Sequence, residues 1–176
     1  MPKCKHCKTK FEPKQFNQKN CLQTDECVRA FLSDLTKQNE QRWRKEKKVR
    51  KNKLKTRSEW LNDLQKAFNT YIRERDKDKP CISCGTFTGK MNAGHYKSVG
   101  GSPELRFNEL NVHKQCEYCN THLSANLIEY RIGLVKRIGV DKVEFLERKD
   151  HAALKLTTEE IKANILIYKE KTKSLI

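Results

Sequence analysis

Trp60, Leu61, Leu64, Phe68, Tyr71 and Ile72 recur at steps of three and four residues, which sets them on one stripe of a helix. Ser58 stands ahead of the stripe as a cap, and "RDKDKP" closes it with Pro80 as the stop. Such a stripe has to be buried, against the segment that follows or against the same helix of a second subunit. Upstream the apolar period is lost. Lys37 to Arg57 holds 11 Lys and Arg against Glu40 and Glu46, with neither Gly nor Pro, and predicts an exposed basic helix. Residues 33–79 thus read as a long basic and amphipathic helical segment. Downstream, Leu127, Ile128, Leu134, Val135 and Ile138 form one face ended by Gly139, and a short piece follows around Val143 and Leu146. "TTEEIKANILIYKEK" opens with Thr157 and Glu160 at capping-box spacing and turns Ile161, Ile165 and Tyr168 inward. Helices over 131–176 are expected to cover a central module. Apolar–polar alternation shows at "AGHY", which places His95 on a short strand.

Composition changes this picture in two ways. Only 36% of the 176 residues are hydrophobic, so no large single core is expected, and eight cysteines offer another source of stability. Neither a secretory leader nor an apolar run of membrane-crossing length is visible, so a reducing cytosol is expected, where CxxC pairs bind metal. Cys4, Cys7, Cys21 and Cys27 then read as a structural Cys4 zinc finger over 1–32, with His6 pointing outward. The net charge of +16 is uneven: residues 1–79 carry 23 Lys and Arg against 11 Asp and Glu. That field favours a polyanion, and Arg42, Arg44, Lys45, Lys47, Lys48, Arg50, Lys51 and Lys53 are the expected phosphate contacts. Charge alone leaves a solvated spacer, a ribosome or a membrane surface open.

The informative stretch is 80–130. Cys81 and Cys84 ("CISCG") and Cys116 and Cys119 ("CEYCN") form two knuckles about thirty residues apart, the spacing of a second structural zinc. Four thiolates leave no open position on that ion, so any chemistry belongs to other residues. Between and after the knuckles lie His95, Asn111, His113, Asn120 and His122, with Arg106 and Lys114 close in sequence as phosphate contacts. Tyr96, beside His95, is a candidate DNA contact. His151 reads as a surface residue.

The order C-x2-C, His, Asn, C-x2-C-Asn resembles the HNH nuclease family, whose fold is a hairpin and helix gripping one catalytic metal. The strings "RERDKDKPCISCG", "AGHY", "LRFNELNVHKQC" and "CNTHLSANL" resemble the NinG family of lambdoid phages, also called Rap, over most of the chain. The resemblance implies an α+β, mainly helical protein: the N-terminal finger, the long helix, a zinc-stabilised ββα-metal nuclease module over 80–130, and C-terminal helices. It implies a structure-specific endonuclease that resolves Holliday junctions and other branched DNA. In it His95 is the general base, Asn111 braces the hairpin and Asn120 binds a catalytic Mg²⁺ or Mn²⁺, while His113 either joins the catalytic centre or supports it. Many HNH enzymes carry an Asp before the catalytic His; here that position is Gly94. His122 is the favoured replacement ligand, with His113, Asn92, Glu109, or waters and DNA oxygens as alternatives. Symmetric cutting of a four-way junction implies a homodimer, with the Trp60–Ile72 stripe as its candidate contact. Phage recombination proteins are candidate partners, the expected location is the host cytoplasm, and no membrane association is expected. The competing readings are a non-catalytic zinc module of recombination or transcription and a sequence-specific HNH enzyme of restriction or homing type.

Overall fold

The structure, a computed structural model, describes residues 1–176. It divides into two compact units, Met1–Lys55 and Thr56–Ile176.

In the first unit the four cysteines gather with Phe11 into a small buried cluster, and Lys3 bridges Lys10 across the first knuckle. Helix α1, Asp25–Lys53, starts earlier than the basic composition indicates. Thr24 caps it by accepting from the Cys27 backbone N–H, so Cys27 lies on the first helical turn. This accounts for the five-residue spacing from Cys21: the fourth thiolate is delivered by a helix and not by a second knuckle. Beyond Cys27 no residue of α1 is buried.

Residues 33–79 are two helices and not one. α1 ends at Lys53, and α2, Arg57–Arg75, starts afresh at Thr56, which forms a full capping box with Glu59. A capping box satisfies two orphan amides at once, and this is why Thr56 and not Ser58 is the start. The apolar stripe of α2 is covered within its own chain by α5, Thr158–Lys173. Leu64, Phe68 and Ile72 meet Ile161, Ile165 and Tyr168, and Phe68 stacks edge-on against Tyr168 at 5.0 Å. Each such side chain stabilises by about 1.5–3 kcal/mol relative to exposure. The stripe is therefore closed to a second subunit.

The sheet is one hairpin. β1, Met91–His95, runs antiparallel to β2, Val112–Cys116, with Met91 opposite Cys116 and His95 opposite Val112. Val112 and Ala93 pack on the α2–α5 core. On the other side α3, Leu127–Ile138, and α4, Val140–Glu147, build a second core in which Tyr130, Leu134, Val143 and Leu146 meet Ile82 and Tyr96. Leu127 and Ile128, expected to face inward, are exposed, because the inward face of α3 is set by Tyr130 and Leu134. The Tyr130 hydroxyl lies between the strands, accepting from His113 N–H at 3.1 Å and donating to Gly94 C=O at 2.8 Å. α3 approaches so closely at Gly133 that a Cβ there would lie 2.0 Å from the Ile82 carbonyl oxygen.

A buried carboxylate joins these parts. Asp76, 0% exposed at the end of α2, accepts from Arg75 Nη2, Lys79 Nζ and the Lys114 backbone N–H. Burial opposes its charge, but these donors outweigh burial and hold the carboxyl far below the usual carboxylate range. Truncating one partner of such a network is the damaging change, since the cations lose their counter-charge. Asp76→Ala is expected to destabilise the protein by about 3–5 kcal/mol, and Tyr130→Phe by about 1–3 kcal/mol through two unpaired buried groups. Urea titration followed by circular dichroism checks both.

Candidate functional site

Two metal sites stand out. The sulfurs of Cys4, Cys7, Cys21 and Cys27 lie within 4.8 Å of one another, as do those of Cys81, Cys84, Cys116 and Cys119. A tetrahedral zinc with bonds near 2.3 Å sets its thiolates about 3.8 Å apart. The observed pairs are Cys4–Cys27 at 3.9 Å, Cys7–Cys21 at 3.7 Å and Cys84–Cys116 at 3.7 Å. Backbone amides point at the sulfurs: Cys21 N–H at Cys4, Cys116 N–H at Cys81 and Cys119 N–H at Cys116. Burial opposes ionisation of Cys4 and Cys81, yet these and neighbouring amides outweigh it and bring the thiols down to about 6 and about 7. Both sites fit zinc. The second ties the segment before β1 to the end of β2, which no local turn does.

His95 ends β1. Its Nε2 lies 3.0 Å from the Arg106 carbonyl oxygen, so only the Nε2–H tautomer makes a bond there. Nδ1 then keeps its lone pair, and no hydrogen bond is formed at it. Burial lowers the ring's pKa below the ordinary value, and the backbone carbonyl only partly offsets this. Arg106 is itself held: its Nε donates to Gln65 Oε1 at 2.7 Å, and Gln65 Nε2 donates to Asn69. Gln65 and Asn69 were not visible as site residues from sequence, because they occupy the polar side of an amphipathic stripe.

Asn111 is fully buried and braces the loop that follows β1. Its Oδ1 accepts from Lys97 N–H at 2.8 Å, and its Nδ2 donates to the carbonyls of Lys97 and Leu105. His113 is 3% exposed with both ring nitrogens engaged. Nε2 meets the Leu110 carbonyl at 3.1 Å, and Nδ1 accepts from Arg75 Nη2 at 3.1 Å. Burial lowers its pKa, so its 3.5 Å approach to Asp76 is a contact of a neutral ring and not an ion pair. The register also puts His113 and His95 on opposite faces of the hairpin, since adjacent pairs alternate.

Asn120 and His122 lie on a single π turn, Tyr118–His122, that begins just after Cys116. His122 is exposed, with its ring 5.8 Å from that of Tyr118. Neither forms a hydrogen bond to His95, whose partner Val112 is at the far end of β2, about 13 Å of strand from Cys116 at 3.3 Å per residue. Gly94 cannot be replaced by a carboxylate in place: a Cβ would meet Gln115 Oε1 at 2.1 Å. The alternatives Asn92 and Glu109 do not close the gap. Asn92 pairs with Gln115 on the face away from His95, and Glu109 is engaged by Tyr71 and Lys171. The residues beside His95 do not fit a resident catalytic cation.

Among the expected DNA contacts, Arg42, Arg44, Lys45, Lys47, Lys48, Arg50, Lys51 and Lys53 are all exposed on α1. Arg42 and Arg44 make loose pairs with Glu46 and Glu40. Lys114 does not face solvent. It is 6% exposed, and its ammonium donates to the Lys77 carbonyl. Tyr96 is likewise buried, its hydroxyl donating to Glu147 at 2.5 Å. The His151 ring is only half-buried, edge-on to Phe145.

The description "Bacteriophage Lambda NinG protein" belongs to a family model that matches residues 1–176. The chain belongs to the NinG family. Relatives named "Protein ninG" from Salmonella phage P22 and Escherichia phage lambda are each 50% identical over 129 residues, 73% of this chain. The matched region spans 63% of the length of those two relatives. A third, from Escherichia phage 933W, is 41% identical over 188 residues, covering 98% of this chain and 92% of the relative. No solved structure matches. No helix of this NinG family member is long and apolar enough to cross a membrane.

Purified under reducing conditions, the protein is expected to carry two zinc ions per chain by atomic absorption. Cys84→Ala should retain one and lose the cooperative melt of the second unit, because metal binding there is folding free energy. A zinc-free, disulfide-bonded protein would overturn the assignment.

Proposed function

We propose that this protein is an HNH-type endonuclease acting on branched DNA, Holliday junctions foremost, with His95 as the general base. The observation that carries the reading is the contrast between two histidines on one hairpin. Burial lowers the pKa of both, and both place Nε2 on a backbone carbonyl. His113 gives its Nδ1 to Arg75, whereas His95 keeps its Nδ1 open. A neutral ring, held by one nitrogen and bare at the other, is what proton abstraction from water requires.

In this reading His95 Nδ1 takes a proton from water as the oxygen attacks phosphorus in line. The P–O3′ bond breaks, and solvent protonates the leaving oxygen. Arg106, fixed at Nε by Gln65, turns its remaining guanidinium donors to the phosphate. Asn111 keeps the 97–105 loop in place, and His113 holds the hairpin to α2. A divalent ion, Mg²⁺ or Mn²⁺, belongs to such a reaction, but no cluster of carboxylate and histidine side chains gathers at His95 to hold one. That feature favours the second reading, a zinc-containing DNA-binding accessory protein of recombination or transcription. Symmetric cutting would further require a homodimer through a surface other than the α2 stripe.

The test uses junction, flap, linear duplex and single-stranded substrates with Mg²⁺ or Mn²⁺. His95→Ala is expected to lower nicking by about 10²–10⁴-fold and leave affinity within about twofold. His113→Ala should instead lower stability. The base works only when deprotonated, and burial lowers its pKa, so the rate should rise with pH through a midpoint below 6.5, the ordinary histidine value. A parent protein that binds junctions and never cuts them would establish the accessory reading.

A further inference from the structure

The N-terminal finger contains two phenylalanines five residues apart with opposite fates. Phe11 is 3% exposed and packs with the cysteines. Phe16 is 96% exposed and contributes nothing to that cluster. It does not sit on slack chain. Gln18 ties the loop on both sides of it: Oε1 accepts from the Lys14 backbone N–H at 2.8 Å, and Nε2 donates to the Asn20 carbonyl at 2.8 Å. The Gln18 backbone N–H closes a turn onto Gln15 C=O, and Asn17 takes the left-handed conformation at φ 61°. Below the turn, Lys5 N–H bonds Lys19 C=O at 2.7 Å, and Cys21 N–H points at the Cys4 sulfur. The ring is thus presented by a loop already ordered by the metal site.

The surroundings identify the occupant. Residues 1–24 carry six lysines against the single carboxylate of Glu12, and Lys14 and Lys19 flank the tip. An apolar pocket on a protein would gain little from that charge, whereas phosphates either side of a base would gain directly. Bases in a continuous duplex already have their faces covered by neighbours. An unpaired base has a free π-face, and stacking on an aromatic ring is indifferent to which base it is. We propose that Phe16 is a stacking platform for an unpaired nucleobase, with the finger's lysines on the flanking phosphates. This rests on the DNA reading above and adds to it a ligand class for the N-terminal unit: single-stranded or branch-point DNA.

The experiment uses the full zinc-loaded chain and three probes: a single-stranded oligonucleotide carrying 2-aminopurine, a four-way junction with 2-aminopurine at the branch, and a linear duplex of equal length. The parent protein is expected to quench 2-aminopurine in the first two. Phe16→Ala should bind them about tenfold more weakly, lose the quenching and leave duplex affinity within about twofold. Phe16→Trp should keep both signals and Phe16→Leu neither, because an aliphatic side chain has no π-face. Zinc content of two per chain in every variant confirms folding. Unchanged binding and quenching by Phe16→Ala would overturn the inference alone and leave the tip to an apolar protein pocket. Full retention by Phe16→Leu, or an equal loss on all three probes, would overturn it too. A parent that binds no DNA would overturn the DNA reading and this inference together.

Discussion

A two-stranded hairpin with five residues per strand does not hold itself together in water. Everything that positions His95 in the second unit follows from that weakness. One end of the hairpin is clamped by the Cys81, Cys84, Cys116 and Cys119 site, the other by Asn111 and its three backbone bonds. α2 lies against one face through Val112 and Ala93, and Tyr130 of α3 reaches the backbone from the other side. The zinc site needs no catalytic role to be indispensable to a catalytic reading. Without it the Met91–Cys116 end of the hairpin loses its clamp.

The electrostatics sort the histidines by what surrounds them. Asp76 attracts Arg75, and Arg75 in turn engages the Val112 carbonyl and the free nitrogen of His113. The half-buried guanidinium takes the acceptors that surround it, the Glu109 and Val112 carbonyls and Asp76, and the imidazole beside it is a further one. His95 belongs to the adjacent register pair and faces the other side of the hairpin, where Arg106 has its Nε held by Gln65. Its second nitrogen therefore stays unengaged. The difference between a fastening histidine and an available one comes from the placement of two arginines.

Much of this was legible in the sequence because the signals are local. Both Cys4 sets, the β1 strand, the α2 stripe and the Thr157–Glu160 capping box depend on spacing alone, and each appears where expected. What was not legible depends on meetings between distant segments. That α5 would cover α2 could not be read from an apolar stripe, since a stripe states a need and not a partner. Lys114 looks like a phosphate contact in "NVHKQC" and is drawn inward by a carbonyl 37 residues away. The absence of a carboxylate at position 94 was visible, but its reason was not: Gln115, opposite Asn92, folds over the glycine.

Charge and candidate chemistry occupy different parts of the chain. Residues 1–55 hold 17 Lys and Arg against 6 Asp and Glu, or +11 of the total +16, while 56–176 hold 21 against 16. A unit so nearly balanced has a weak field with which to gather a polyanion, and its cations are largely spent on structure: Arg75 and Lys79 on Asp76, Arg131 on Glu147, Lys171 on Glu109. The first unit has the opposite character. α1 buries nothing beyond Cys27 and exposes its basic residues along most of 29 positions. Such a helix gains little from packing and persists through its own propensity and caps, so an external polyanion is what its composition suits. In the proposed reading the first unit supplies the affinity for DNA, and the second supplies the geometry, with Arg106 left to orient a phosphate.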